Sequence, residues 1–206
     1  MITHTGILHR TLFPSLLWRM PGKKIFLTFD DGPHSIATPV VLDILKKHGV
    51  HATFFLSGKN IEGREDIVCR IVNEGHSVGI HAFNHSRRLA FSKKETVTEI
   101  KKTEAILSRI VKEKVRLFRP PFGFFLWNTV SAAKELGYCL VMWSCLTGDF
   151  RNWTTEKITH VSLNHIANGS ILVFHDNDLT QHKIGQILEH VIPEIQKRGF
   201  KFGAIR

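Results

Sequence analysis

The sequence predicts an α/β fold of parallel strands alternating with helices, on three observations. Short apolar runs recur along the chain, and longer segments with helical hydrophobic spacing separate them. The apolar runs are continuous rather than alternating, as in strands covered on both faces, and parallel neighbours need a helical crossover. Residues able to do chemistry repeatedly follow the strand ends, which share one face in parallel sheets and barrels.

In chain order, strands are expected over 24–29, 52–56, 77–80, 115–118, 138–143, 171–174 and 199–204. Helices are expected between them, over 38–48, 66–74, 94–111, 127–136, 155–167 and 184–198. In the third helix Val97, Ile100, Glu104 and the run 107–110 trace a mostly apolar stripe with lysines opposite. Gly49, Gly75, Gly137 and Gly199 stand just past helical segments, where a left-handed C-cap is expected. Seven strands fit either a closed barrel or an open doubly wound sheet, and periodicity does not choose between them.

At 206 residues and 43% hydrophobic content, a single domain with a substantial core is the simplest organisation. The segment 1–23 precedes the first strand and is expected to pack on the domain as a cap. Its apolar patch, 12–18, contains Pro14 and lies between Arg10 and Arg19. That makes a poor signal peptide, and the patch is too short to span a bilayer, so the segment assigns no compartment. Cys69, Cys139 and Cys145 are odd in number and lack CxxC spacing, which predicts reduced, mostly buried thiols.

The formal charge of +10 favours anionic partners and weak association with anionic surfaces. Zinc-finger spacing, a ribonucleoprotein aromatic motif and a basic recognition helix are all missing, so no nucleic acid is expected. No feature implies an obligate protein partner.

Asp30 and Asp31 close the first strand, and neighbouring side chains on extended backbone point in different directions. One carboxylate can therefore hold a metal while the other handles protons. His81 and His85 follow the third strand four residues apart, close enough to reach one point on a tight turn. One carboxylate and two imidazoles leave room for water, the arrangement of hydrolytic zinc. Arg119 follows the fourth strand, Asp149 comes after the fifth, and His175 directly follows the sixth. The same ligand set also serves non-haem iron oxygenases, which would leave Asp30, Arg119 and His175 without roles.

Five segments in order resemble the polysaccharide deacetylase family (the NodB homology domain, carbohydrate esterase family 4) over 24–206. They are Thr28-Phe29-Asp30-Asp31-Gly32-Pro33, His81-Ala82-Phe83-Asn84-His85, Arg119-Pro120-Pro121-Phe122-Gly123, Asp149-Phe150 and Val173-Phe174-His175. The resemblance implies a distorted (β/α)7 barrel. It also implies metal-dependent removal of acetyl groups from N-acetylglucosamine-containing glycans, usually outside the cytoplasm.

By that resemblance Asp31, His81 and His85 hold a divalent metal, most simply Zn2+, with Co2+ or Ni2+ as alternatives. Asp30 is the base, Arg119 orients it, and His175 is the acid with Asp149 beside it. The Phe122 N–H faces the developing oxyanion, while Phe150 and Val173 wall the acetyl pocket. Several positions depart from the family pattern: Ala82 lacks a hydroxyl that steadies the histidine loop, Phe122 replaces tyrosine, Phe150 replaces tryptophan, and Leu146 stands where many relatives carry another aspartate. Alternatives within the same chemistry are an amidase or O-acetyl esterase on another substrate, and a glycan-binding module without turnover. The remaining histidines, His4, His9, His34, His48, His51, His160, His165, His182 and His190, are expected to lack partners, and His76 to be structural.

Overall fold

The computed structural model describes residues 11–164 and 166–206; His4, His9 and His165 lie outside them. The strands are β1 (Lys24–Asp30), β2 (Thr53–Leu56), β3 (Ser77–Ile80), β4 (Leu117–Phe118), β5 (Cys139–Leu140), β6 (Cys145–Leu146), β7 (Ile171–His175) and β8 (Lys201–Phe202). Every pairing is parallel, in the order β5-β4-β3-β2-β1-β7-β6, with β8 joined to the start of β1. The seven strands of the main path curl into a half-barrel, the distorted barrel that the motifs imply.

Among the described residues six longer helices, besides a single helical turn at Gly58–Ile61, pack around it: α1 (Ala37–Lys47), α2 (Glu65–Asn73), α3 (Lys93–Leu107), α4 (Trp127–Glu135), α5 (Thr155–Leu163) and α6 (Ile184–Lys197). Each lies where the periodicity places it, though α3 and α5 stop four residues early, at Leu107 and Leu163. Gly49, Gly75, Gly137 and Gly199 all take positive φ, as helix-ending residues without a Cβ can do at little cost.

Of the expected strand over 138–143 only Cys139–Leu140 forms, with an isolated bridge at Val141, and a separate strand lies beyond it. β5 ends at Leu140, and β6 at Cys145–Leu146 then pairs with β7. The cause lies in Arg119, whose Nε donates to Val141 O (3.1 Å) and Nη2 to Met142 O (3.0 Å). Those carbonyls are spent on a buried guanidinium instead of a continuing ladder. The last expected strand, 199–204, forms only the short β8 off the main path.

β5 and β6 are not paired, and residues 16–20 run along this open side. Leu17 N donates to Leu140 O (2.9 Å), and Leu17 O accepts from Met142 N (2.8 Å). Met20 N then donates to Gly169 O (2.9 Å). Leu16 and Trp18 are buried in the main core.

Alternation along β1 sorts its residues between two layers. Phe29 points outward and stacks on Phe54 (5.0 Å) and Phe174 (5.9 Å) under the helices. Thr28 and Asp30 point inward, where both meet Arg119. Of the thiols, Cys145 alone is buried; Cys69 and Cys139 are exposed, against expectation, and all three are free. Cys69 lies on the outer part of α2 rather than on its core stripe, where Val68 and Ile71 sit. His34, His48 and His190 also depart from expectation, the last with its Nδ1 2.7 Å from Gln186 O. His34 accepts from the Ile36 and Ala37 amides at the start of α1 and meets Asp178, and His48 meets Glu189. His76 is structural, with its Nδ1 accepting from Ala52 N.

Candidate active site

Strand register brings the two halves of the site together. Asp30 is the direct Cα partner of His175 across β1 and β7, and Thr28 the partner of Val173. His81 follows β3 with its N–H on Leu56 O, and Arg119 follows β4 with its N–H on Ile80 O. Asp30, Asp31, His81, His85, Phe122, Phe150, Val173 and His175 thus line one cavity of about 320 Å³. Trp143, Leu146 and Leu179 complete its apolar wall. Arg119 and Asp149 do not line it; both are fully buried behind it.

Asp31 Oδ1 lies 3.0 Å from His85 Nε2 and 3.5 Å from His81 Nε2. It is buried, and no hydrogen bond reaches it, because the approach of the imidazoles is short but not aligned for one. His81 Nδ1 sits 2.8 Å from Arg119 O, a pure acceptor, so that nitrogen carries the proton and Nε2 presents its lone pair to Asp31. Burial also pushes the His81 pKa down and keeps the ring neutral.

Lone pairs facing one another in a buried site call for a cation. Metal bonds of about 2.1 Å at tetrahedral angles place ligand atoms about 3.4 Å apart, close to the spacing found here. The three residues therefore fit a divalent metal. Burial works to raise the Asp31 pKa, but the close approach of His85 and the positive charge of His175 outweigh it. The carboxylate is held well below its usual range, as a ligand requires.

Four residues that the motifs did not mark as site residues hold this cluster in place. Asn177 Nδ2 donates to Asp31 Oδ2 (2.7 Å), and Asn60 Nδ2 to Asp31 O (2.7 Å). The buried Asp176 accepts from Gly32 N (3.1 Å) and from Thr38 Oγ1 (2.5 Å). It packs so closely that a Cβ on Gly32 would strike its carboxylate at 2.3 Å. Glu99 accepts from Phe83 N (3.0 Å), Asn84 N (2.7 Å) and Asn84 Nδ2 (2.9 Å). These bonds fix the loop between the histidines, where Ala82 and His85 take φ of 63° and 50°. Glu99 thus steadies the turn that Ala82, lacking a hydroxyl, cannot. The one sequence signal for it is a carboxylate among the core-facing positions of α3.

Arg119 is fully buried and nearly saturated. Besides Val141 O and Met142 O, its Nη1 donates to Thr28 Oγ1 (2.7 Å) and Asp30 Oδ1 (2.6 Å), and its guanidinium lies 4.1 Å over the Phe55 ring. Geometry this complete is what makes a buried ion pair tolerable. Opposite, His175 Nδ1 meets Asp149 Oδ1 (2.8 Å), and Asp149 Oδ2 accepts from His175 N (2.6 Å). Burial would lower the His175 pKa, but the charge and hydrogen bond of Asp149 outweigh it and raise it to about 9. The imidazolium is therefore the resting form at neutral pH. Phe150 packs edge-on against this ring at 5.1 Å. Phe122 sits at φ 60° directly after Pro120 and Pro121, whose carbonyls accept from Gly123 N and Phe124 N. Among the described residues nothing accepts from its own N–H.

Comparison with known proteins matches this arrangement. The model of the family described as polysaccharide deacetylase matches residues 19–141, more than half of the chain. A peptidoglycan-N-acetylglucosamine deacetylase of Bacillus cereus is 38% identical over 181 residues, 87% of this chain; the chain spans 66% of that relative's length. The crystal structure of the Bc1960 peptidoglycan N-acetylglucosamine deacetylase superposes with a TM-score of 0.89 at 33% identity, covering 98% of this chain and 95% of that one. A family 4 acetyl xylan esterase from Clostridium thermocellum, in complex with a cobalt ion, gives a TM-score of 0.82 at 28% identity, covering 88% of each chain. With the motif residues gathered at one mouth of a parallel half-barrel, the chain belongs to the polysaccharide deacetylase family.

Proposed function

We propose that this protein is a zinc-type N-deacetylase that releases acetate from N-acetylglucosamine units of a peptidoglycan-like glycan. The observation that carries the reading is the pairing within one cavity of a ligand cluster, Asp31, His81 and His85, with an Asp30–Arg119 pair and an Asp149–His175 pair. A non-catalytic binding module has no need of a buried arginine on one carboxylate and a buried aspartate on one imidazolium. The similarity to peptidoglycan-N-acetylglucosamine deacetylases supports the substrate class.

Asp31, His81 and His85 would hold a divalent metal, which when bound would polarise the acetyl carbonyl and acidify the attacking water. Asp30 takes the proton from that water. Its Oδ1 is engaged by Arg119, which fixes the carboxylate plane, and no described residue donates to its other oxygen. As the carbonyl oxygen gains charge, the free N–H of Phe122 offers it a preorganised donor. His175, held as an imidazolium by Asp149, gives its proton to the departing amine as the C–N bond breaks. Acetate and the free amino sugar result, with one water consumed. Phe150, Val173, Trp143 and Leu146 provide an apolar slot for the acetyl methyl and exclude bulk water from it.

The test is acetate release from N-acetylglucosamine oligomers by zinc-loaded protein, with Asp30→Asn as control. Release that disappears in the variant supports the assignment. Absence of release from a metal-loaded, folded protein would overturn it.

A further inference from the structure

A second cavity, of about 500 Å³, opens at the end of the sheet opposite the mouth. It lies where β3 and β4 begin, because His76 immediately precedes the first and Arg116 the second. Lys112, Lys114 and Arg116 line it, and Glu113 is the one acid among its lining residues. Glu74, close by in sequence, is engaged by Arg70 Nε (2.6 Å). The carboxyl ends of α2 at Asn73 and α3 at Leu107 also draw cations to this end. Each such end carries only about half a negative charge, so together with Glu113 they leave the wall positive.

A buried donor lines the same cavity. His76 is 7% exposed, and its ring lies edge-on to His51 (5.8 Å) and Phe54 (5.5 Å). Its Nδ1 accepts from Ala52 N (3.2 Å), and burial lowers its pKa to about 4, so the ring is neutral. The single ring proton therefore sits on Nε2. That atom is buried, and among the described residues it has no hydrogen-bond partner. A buried N–H left unpaired is costly, and native structures pair such groups with protein, water or ligand.

A neutral donor beside a positively charged wall suits an anion. Three cationic side chains and a ring N–H offer more donors than the two oxygens of a carboxylate use. A phosphate group, with three terminal oxygens and up to two negative charges, takes them up better. Val72, Val78 and Val111 add an apolar stretch of wall, so the phosphate can carry an organic group.

We infer that this cavity binds a phosphate-bearing ligand, held by Lys112, Lys114 and Arg116 with the His76 Nε2–H as its buried donor. The site is separate from the metal centre and does not depend on the deacetylase reading.

The experiment is an NMR titration of protein carrying isotope-labelled histidine, kept in chelator so that phosphate meets no metal at the mouth. Inorganic phosphate is added at constant ionic strength and the His76 Nε2 signal is followed, with acetate as the control anion. A saturable shift with a dissociation constant of about 1 mM is expected, with acetate about tenfold weaker or more. In a Lys112→Gln/Lys114→Gln/Arg116→Gln variant the phosphate affinity falls about tenfold or more. All three residues are exposed, so the fold is retained, and an unchanged His175 signal at the far end of the sheet reports it. Glycerol phosphate and a short phosphodiester-linked glycerol oligomer are titrated in the same way. Whichever binds tighter distinguishes a small phosphate ester from a polymer, and either supports the site. No saturable shift at His76 in the tens of millimolar, equal affinity for phosphate and acetate, or unchanged phosphate affinity in the triple variant would overturn the inference.

Discussion

Replacing Asp149 by asparagine keeps the size of the side chain and removes its charge, which isolates what the carboxylate does for His175. In the native protein Asp149 is fully buried and meets both the ring Nδ1 and the backbone N–H of His175. With its charge gone, burial is no longer outweighed, and the His175 pKa falls from about 9 toward or below its ordinary 6.5. At about pH 7.5 the imidazolium fraction then drops from roughly 97% to about a tenth, so kcat/KM falls about tenfold from protonation alone. The direction with pH follows. Wild-type activity is lost as pH rises through about 9, whereas the variant loses it from near 6.5. Stability has the same sign. Because folding raises this pKa, the pair stabilises the fold fully below about pH 6.5 and the contribution is lost as pH rises through about 9. The assays are a pH–rate profile of kcat/KM and an NMR titration of the His175 ring. An alkaline limb that stays near pH 9 in the variant, with activity at neutral pH unchanged, would refute the reasoning.

Arg119→Leu leaves Asp30 buried without its counter-charge and strands the carbonyls of Val141 and Met142. A stability loss of about 3–5 kcal/mol is expected in urea denaturation. Glu99→Ala removes the acceptor of three loop hydrogen bonds, so metal affinity should weaken about 10–100-fold by competitive titration while the far-UV spectrum is retained. Leu17→Pro deletes the donor to Leu140 O at the open side of the half-barrel. It should cost about 1–3 kcal/mol, and lower kcat as well, because the segment just after the disturbed contact carries the Val141 and Met142 carbonyls that seat Arg119.

Much of this architecture is legible in the sequence because its signals are local. Strands such as Lys24–Asp30 are continuous apolar runs, and helices such as Ile184–Lys197 carry a clear apolar stripe. The residues after the strand ends converge because parallel register requires it, as the Asp30–His175 pairing illustrates. What escaped the reading depends on contacts between distant segments. The break between β5 and β6 comes from Arg119, about twenty residues earlier, claiming two carbonyls. Glu99 looks like one more acidic position on an amphipathic helix until the histidine loop folds onto it. Asn177 and Asp176 follow His175 as ordinary loop residues. Only the closeness of β1 to β7 gives them Asp31 and Gly32 as partners.

The most direct test of the central claim is a crystal structure of the zinc-loaded protein with anomalous diffraction at the zinc edge. The account predicts one strong peak about 2.0–2.2 Å from Asp31 Oδ1, His81 Nε2 and His85 Nε2, lost in a His81→Ala/His85→Ala variant. A fully loaded protein with no peak at these three atoms, or with its zinc bound elsewhere, would contradict it.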